Sequence, residues 1–298
     1  YAHAKILSMD TSAAKAAPGV LAVLTAVDIK ADGLGTTHVT QGHKRADGSP
    51  LYSVPHPGLV SDRVRYVGDY IAFIVAETVE QAKDAAELVD IDFEPLNSIT
   101  DTASALEDGV ALVWDDCENN ISHVIQSGDK IATDAAFEKA EKIIKHRFVI
   151  NRISANSMEM RGCVGHYDQR EGRYIVYNDI QAPHALRQVL SDDIFKVPQK
   201  DVQVIAGNIG GAFGMKGPIY PEIRLCAWAS KRLGRPVKWT CERSEAFQSD
   251  EHARDNVTEA EMAVTNEGQF LGIRVNSICN LGAYLSGDRN ILSTFLNV

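Results

Sequence analysis

Residues 207–217 read Gly-Asn-Ile-Gly-Gly-Ala-Phe-Gly-Met-Lys-Gly. The apolar run Val202 to Ile205 stands before this stretch, bounded by Lys200 and Asp201, and reads as a buried strand. After it come Pro218 and Pro221, where a first helical turn tolerates proline, and then Ile223, Cys226, Ala227 and Leu233 at helical spacing. Gly234 supplies a C-cap, and Val237 to Thr240 resumes as a strand. A strand, a Gly-rich turn and a helix start together present backbone N–H groups that can hold an anionic group. Phe213 is a bulky aromatic among glycines and is expected to face whatever the loop encloses. The plainer alternative is a tight turn that only joins two elements.

Two common phosphate patterns do not fit. A P-loop needs Ser or Thr after its lysine, and Lys216 is followed by Gly217. Gly207, Gly210, Gly211 and Gly214 also have the wrong spacing for the dinucleotide fingerprint. The chain has 298 residues, 45% of them hydrophobic, enough for two globular domains. Its net charge of −10 argues against nucleic acid or an anionic membrane as principal partner. No apolar stretch reaches the roughly 20 residues of a membrane-spanning helix, and no signal-peptide pattern opens the chain, so a cytoplasmic location is expected. The chain starts at Tyr1, not at Met, which leaves the N-terminal segment open. Five scattered cysteines (Cys117, Cys163, Cys226, Cys241, Cys279) hold no Cys-x-x-Cys and point to reduced thiols, with no metal site built from this chain. Cys226 reads as a small core residue.

The N-terminal third has a β/α rhythm. Asp10 or Thr11 is a plausible N-cap for an Ala-rich turn that Pro18-Gly19 stops, and Val20 to Leu24 follows as a strand. Ile71 to Ala76 is a strand, Thr78 with Gln81 makes a capping box, and Ala82, Ala85, Ala86 and Val89 form a buried stripe. Val89 to Phe93 alternates as the next strand. Residues 31–60 are a long polar excursion in which His38, His43 and His56 are expected to be solvated. Residues 95–130 look like an interdomain linker. Thr133 is expected to cap a helix running to about Ile144, with His146 to Arg152 opening the larger domain as a strand.

Four stretches carry a family resemblance. Gly210-Gly211-Ala212-Phe213-Gly214-Met215-Lys216 resembles the Gly-Gly-Gly-Phe-Gly-x-Lys loop of the molybdenum hydroxylases, the xanthine dehydrogenase/aldehyde oxidase family. Met158-Glu159-Met160-Arg161-Gly162 resembles the family's Met-Glu-Pro-Arg-Gly, and Gln181-Ala182-Pro183-His184-Ala185-Leu186-Arg187 its Gln-x-Pro-His-x-x-Arg. Gly234 to Trp239, followed by Glu242-Arg243-Ser244-Glu245, is similar to its Gly-Arg-Pro-Val-Lys-Trp and Arg-x-Glu signature. The order and spacing agree as well, and Pro218 to Pro221 leans toward the bacterial carbon monoxide dehydrogenase-type branch. The resemblance implies an α+β chain. A hammerhead domain would span 1–115, a linker and helix 116–145, and the first part of a molybdopterin-binding domain 146–298.

It also implies roles. Gly210, Gly211, Ala212, Phe213 and Gly214 would bind the cofactor, with Phe213 beside the metal. Gln181, placed at a strand end before a helix, would bind the cofactor and donate to a metal-oxo oxygen without ligating the metal. Gln181 and Phe213 are therefore the candidate catalytic residues, and no residue here is a metal ligand. Gln181 as a helix cap is the bland alternative. Ala212 replaces a family glycine, and its methyl group is tolerated only at negative φ. His184 and Arg187 would share a helix face, Arg187 as a structural or phosphate contact. Glu159 and Arg161 would point to one side of a strand, as an acid/base pair or a buried ion pair. Gly217 stands where purine-oxidising members carry a substrate-binding glutamate, which makes xanthine a poor substrate candidate.

The family reaction inserts a water-derived oxygen with the help of a glutamate in a Gly-x-Gly-Glu segment, and no such segment occurs here. Asn280 to Tyr284 resembles a segment well before it. The expectation is the N-terminal part of the large subunit, or one half of a split one. Its cofactor would be molybdopterin with molybdenum, in the cytosine dinucleotide form common in bacterial members. Partners would be an iron–sulfur subunit, an FAD subunit and the rest of the molybdenum subunit, in a dimer of heteromers. The competing readings are a scaffold that keeps the fold without active metal, and a phosphate-loop nucleotide-binding module.

Overall fold

Short capped helices alternate with strands through the first hundred residues of the computed structural model, which describes residues 1–37, 45 and 47–285. His38 and His43 lie outside the described residues. In chain order come β1 (Ala4–Asp10), α1 (Ser12–Ala16), β2 (Val20–Thr25), α2 (Ala26–Ala31), β3 (Arg63–Val64), β4 (Ala72–Ala76), α3 (Val79–Glu87) and β5 (Asp90–Pro95). At α1 Thr11 occupies the N-cap position without a side-chain cap bond, and the Asp10 carboxylate accepts the Ser12 N–H at 2.8 Å. The Thr78–Gln81 capping box forms as read. The stripe of α3 is narrower than expected, because Ala85 is fully buried while Ala86 is exposed. Antiparallel β2 and β4 form a two-stranded ribbon with Leu24 opposite Phe73, and β1 is the centre of a β3-β1-β5 sheet.

The chain continues with α4 (Lys130–Glu138), β6 (Lys142–Ile153), β7 (Gly162–Asp168), β8 (Arg173–Asn178), α5 (Pro183–Val189), β9 (Val202–Ile205), α6 (Pro221–Leu233), β10 (Val237–Thr240), α7 (Arg243–Ser249), β11 (Ala253–Val264) and β12 (Phe270–Cys279). The helix expected from Thr133 to Ile144 is displaced. Asp129 is the N-cap, its carboxylate accepting the Ala132 N–H at 2.9 Å, and α4 ends at Glu138. Ile143 and Ile144 belong to β6, opposite Ala263 and Met262 of β11, so the strand starts four residues before His146. Cross-strand pairing of β-branched residues wins there over the helical spacing.

The described residues divide into two compact units. One gathers 1–37, 54–97 and 154–251, the other 45, 47–53, 98–153 and 252–285. In the first, the four-stranded sheet β10-β7-β8-β9 is antiparallel except for the parallel pair β8–β9. Helix α6 lies against β7, and Gly165 makes the approach possible, since a Cβ there would come within 2.3 Å of the Ala227 backbone nitrogen. Leu225, Cys226, Ala227 and Ala229 are wholly buried, with Val176, Leu186, Leu190 and Ile194 in the same core. Gly234 closes α6 with φ +65° and donates to Ser230 O at 2.9 Å. His56 is not solvated as expected: it pairs with Thr37 in an isolated bridge, and burial pushes its imidazole down to about 3.

In the second unit the antiparallel sheet β12-β11-β6 is closed at one end by Asp255, which holds Arg152 at 2.6 Å and accepts from Thr102 and Asn280. The mixture of helices with mostly antiparallel sheets is α+β, as expected.

Candidate functional site

Because β8 and β9 are parallel neighbours, the segments leaving their C-terminal ends emerge on the same edge. Gln181 follows β8, and the Gly-rich stretch follows β9. The structure ties the two directly: the Gln181 N–H donates to Lys216 O at 2.9 Å. Gln181 is exposed and is not the cap of α5, whose N-cap position is held by Ala182.

The loop is wound by left-handed residues. Gly211, Phe213 and Gly214 have φ of +101°, +50° and +90°. Ala212 avoids that region, so its methyl group is accommodated and the strain falls on Phe213. Two turns follow each other, Met215 N–H to Ala212 O at 2.9 Å and Gly217 N–H to Gly214 O at 3.0 Å. Among the described residues, the N–H groups of Gly211, Ala212, Phe213 and Gly214 meet no acceptor. The Phe213 ring is 79% exposed, and a Cβ on Gly214 would meet no chain atom within 4 Å. Four consecutive unpaired donors, with open space at Gly214, suit an anionic group brought close to the backbone.

Lys216 does not face that space. Its side chain is 1% exposed, with Nζ 3.0 Å from Glu159 Oε2 and 2.7 Å from Asp179 Oδ2. Glu159 Oε2 also accepts the Gly210 N–H at 2.6 Å, and this bond, followed by Lys216, holds the carboxyl below the usual carboxylate range. Asp179 Oδ1 accepts from Asn178 Nδ2 at 3.2 Å and from the Gly162 N–H at 3.4 Å. Its Oδ2 faces Lys216 without the alignment of a hydrogen bond.

Glu159 and Arg161 were expected together on a strand, and the structure separates them. Residues 154–161 are irregular, and each side chain has partners of its own. Arg161 Nε donates to Asp250 Oδ1 at 2.7 Å, Nη2 to Ser249 Oγ at 2.8 Å and Nη1 to Glu222 Oε1. Its guanidinium carbon lies 3.8 Å from the Tyr220 ring centroid, and Tyr70 Oη donates to Glu222 Oε2 at 2.9 Å. Burial opposes the charge, but the Glu222 and Asp250 carboxylates outweigh it and keep Arg161 protonated. Arg243, of the Arg-x-Glu signature, pins the irregular stretch by donating to Asn156 Oδ1, Ser157 O and Met158 O. His184 is exposed, while Arg187 donates to Gln199 Oε1 at 3.4 Å.

No sequence pattern pointed to Asp179, Glu222, Asp250 or Tyr70. Their partners lie 37 to 152 residues away, and single acidic or aromatic residues carry no spacing signal. Among the described residues, no group of three or more His, Cys, Asp or Glu side chains is placed to hold a metal. No helix among them is long and apolar enough to cross a membrane.

A family model for the molybdopterin cofactor-binding domain matches residues 113–297. A second, for the aldehyde oxidase and xanthine dehydrogenase a/b hammerhead domain, matches residues 1–97. The carbon monoxide dehydrogenase large chain of Afipia carboxidovorans is 35% identical over 296 residues, covering 95% of this chain and 35% of that one. The gamma subunit of the 6-hydroxypseudooxynicotine dehydrogenase complex of Paenarthrobacter nicotinovorans is 34% identical over 292 residues, covering 98% and 36%. The solved structure of reconstituted CO dehydrogenase from Oligotropha carboxidovorans superposes with a TM-score of 0.82 at 34% identity, covering 93% of this chain and 34% of that one. The chain thus spans about a third of the length of the curated relatives it matches.

Proposed function

The chain belongs to the xanthine dehydrogenase/aldehyde oxidase family of molybdenum hydroxylases, and on that premise we propose that it forms one wall of a molybdopterin site in an oxidoreductase. The observation that carries this reading is the juxtaposition of Gln181 with a loop offering four consecutive unpaired N–H groups, Gly211 to Gly214. The residues present fit the group: Gly214 leaves room for close approach, Phe213 stands beside that space, and the unpaired N–H groups are available to an anion. When bound, the molybdenum cofactor supplies the two-electron redox chemistry of the hydroxylation.

This chain's own residues bind and orient. Backbone donors of Gly211 to Gly214 hold the cofactor, while the Gly210 N–H is taken by Glu159 Oε2 and Gly210 contributes close approach of the chain. The neutral amide of Gln181 gives the cofactor one hydrogen bond without adding charge, and Phe213 shields one side from water. The cytosine dinucleotide form of the pterin belongs to the same reading, as do an iron–sulfur subunit, an FAD subunit and the remaining part of the molybdenum subunit, arranged as a dimer of heteromers in the cytoplasm. So does the division at residues 115 and 145; the matched ranges, 1–97 and 113–297, part between residues 97 and 113.

The substrate is a small molecule, an aldehyde, an N-heterocycle or carbon monoxide. Near-equal identity to a carbon monoxide dehydrogenase large chain and to a subunit of a 6-hydroxypseudooxynicotine dehydrogenase complex supports this range.

The test is elemental mass spectrometry and pterin analysis of the native assembly and of the 298-residue chain expressed alone. Molybdenum and pterin are expected with the assembly and not with the isolated chain. Tight stoichiometric molybdenum on the isolated chain would refute the one-wall reading. An assembly without molybdenum would favour a scaffold that keeps the fold without chemistry.

A further inference from the structure

We infer that Glu159 is a positioning residue that sets the geometry of the Gly-rich loop and of Gln181, acting through Lys216. The inference rests on the functional reading above. Its basis is a tether between three segments that are far apart in sequence. Glu159 Oε2 accepts the Gly210 N–H at 2.6 Å, and the Glu159 N–H donates back to Gly210 O at 3.0 Å. The same carboxylate oxygen lies 3.0 Å from Lys216 Nζ, at the far end of the loop. Lys216 Nζ is also 2.7 Å from Asp179, two residues before Gln181, and the Lys216 carbonyl accepts the Gln181 N–H at 2.9 Å.

The loop needs such a tether. Gly211, Phe213 and Gly214 hold left-handed φ values, while Phe213 and Gly214 are exposed, so packing at these two positions does not select this conformation, and Met215 anchors only the end of the loop in the core. Glu159 grips both ends of the loop, and Gly210 is fitted to it closely: a Cβ on Gly210 would come within 2.6 Å of Glu159 Cβ. Lys216 is thereby assigned a role different from the lysine of a phosphate loop. Its charge is balanced by two carboxylates and its side chain is buried, so the anion affinity of the loop comes from backbone N–H groups. The lysine fixes their placement. Arg243 supports the arrangement from behind by holding Asn156, Ser157 and Met158 next to Glu159.

The experiment compares Glu159→Ala and Glu159→Gln with wild type in the native assembly. It reads amide hydrogen exchange over residues 207–217, molybdenum content, KM and kcat per molybdenum, and thermal melting. Glu159→Ala is expected to speed loop exchange by about tenfold, the equivalent of one lost hydrogen bond. It should lower kcat per molybdenum by about 10- to 100-fold with KM nearly unchanged. Glu159→Gln, whose amide oxygen still accepts from Gly210, should recover most of the loop protection. Unchanged loop exchange and unchanged kcat per molybdenum in Glu159→Ala overturn the inference, and so does a melting shift without any change confined to the loop. If the wild-type assembly itself lacks molybdenum, the functional reading fails, while loop exchange still decides whether Glu159 sets the loop.

Discussion

Arg161 and Glu222 form an ion pair in which both side chains are only 3% exposed, with Asp250 closing the guanidinium from the other side. Removing the cation alone leaves two buried carboxylates without their counter-charge, although Glu222 keeps the Tyr70 hydroxyl. Arg161→Met is therefore expected to destabilise the protein by about 3–5 kcal/mol, the range for one broken buried pair. Urea denaturation checks the value, and adding Glu222→Gln to the variant should restore part of the loss. A melting curve that does not move would show that water reaches the cluster.

Replacing Gln181 by Ala tests the donor proposed for the cofactor. The Gln181 backbone stays bonded to Lys216 O, so the segment keeps its place. Molybdenum content should be retained while turnover falls about 10- to 100-fold. Full turnover at full molybdenum occupancy would reduce Gln181 to a surface residue.

Gly214→Val separates strain from steric exclusion. The position has φ +90°, so any side chain adds backbone strain of about 1–3 kcal/mol, which shifts melting by several degrees. Within the chain a Cβ at this position meets nothing within 4 Å. Loss of cofactor from an otherwise folded variant is expected. Retention of molybdenum and pterin at wild-type levels would mean that the loop faces something else.

Asp69 gives the protein a pH dependence of definite sign. Burial raises its carboxyl from 3.8 to about 7, against the Arg65 N–H that bonds it at 3.1 Å. The folded state then holds the proton more tightly than the unfolded state. Between about pH 4 and 7 unfolding releases that proton, so the contribution of Asp69 falls as pH rises and levels off above 7. Asp69→Asn keeps an acceptor for Arg65 and removes the titration. Its melting temperature should gain on wild type between pH 4.5 and 7.5, and a constant difference would exclude the effect.

Much of the framework was legible because it is written in local chemistry. The strand Val202–Ile205, the proline-started helix α6 with its Gly234 cap, and the Thr78–Gln81 capping box follow from residues within a few positions of one another. Where local signals competed, the reading slipped. Ile144 has the spacing of a helix ending and the partner of a strand, and the partner, Met262, is 118 residues away. His56 carries a polar label in a polar stretch, yet it is half-buried and its backbone bridges to Thr37.

The sequence by itself determined the family signature, the α+β composition and the nature of the loop, since glycine density, proline placement and capping residues act through neighbouring backbone. It placed Gln181 at a strand end and the loop after another strand. Only the tertiary structure decided that those ends lie side by side, because that depends on β8 and β9 pairing in parallel. It also decided which charges meet. Glu159 binds Gly210 and Lys216, and Arg161 turns to Glu222 and Asp250, because an ion pair forms wherever folding brings opposite charges out of water. Spacing along the chain carries no record of that choice.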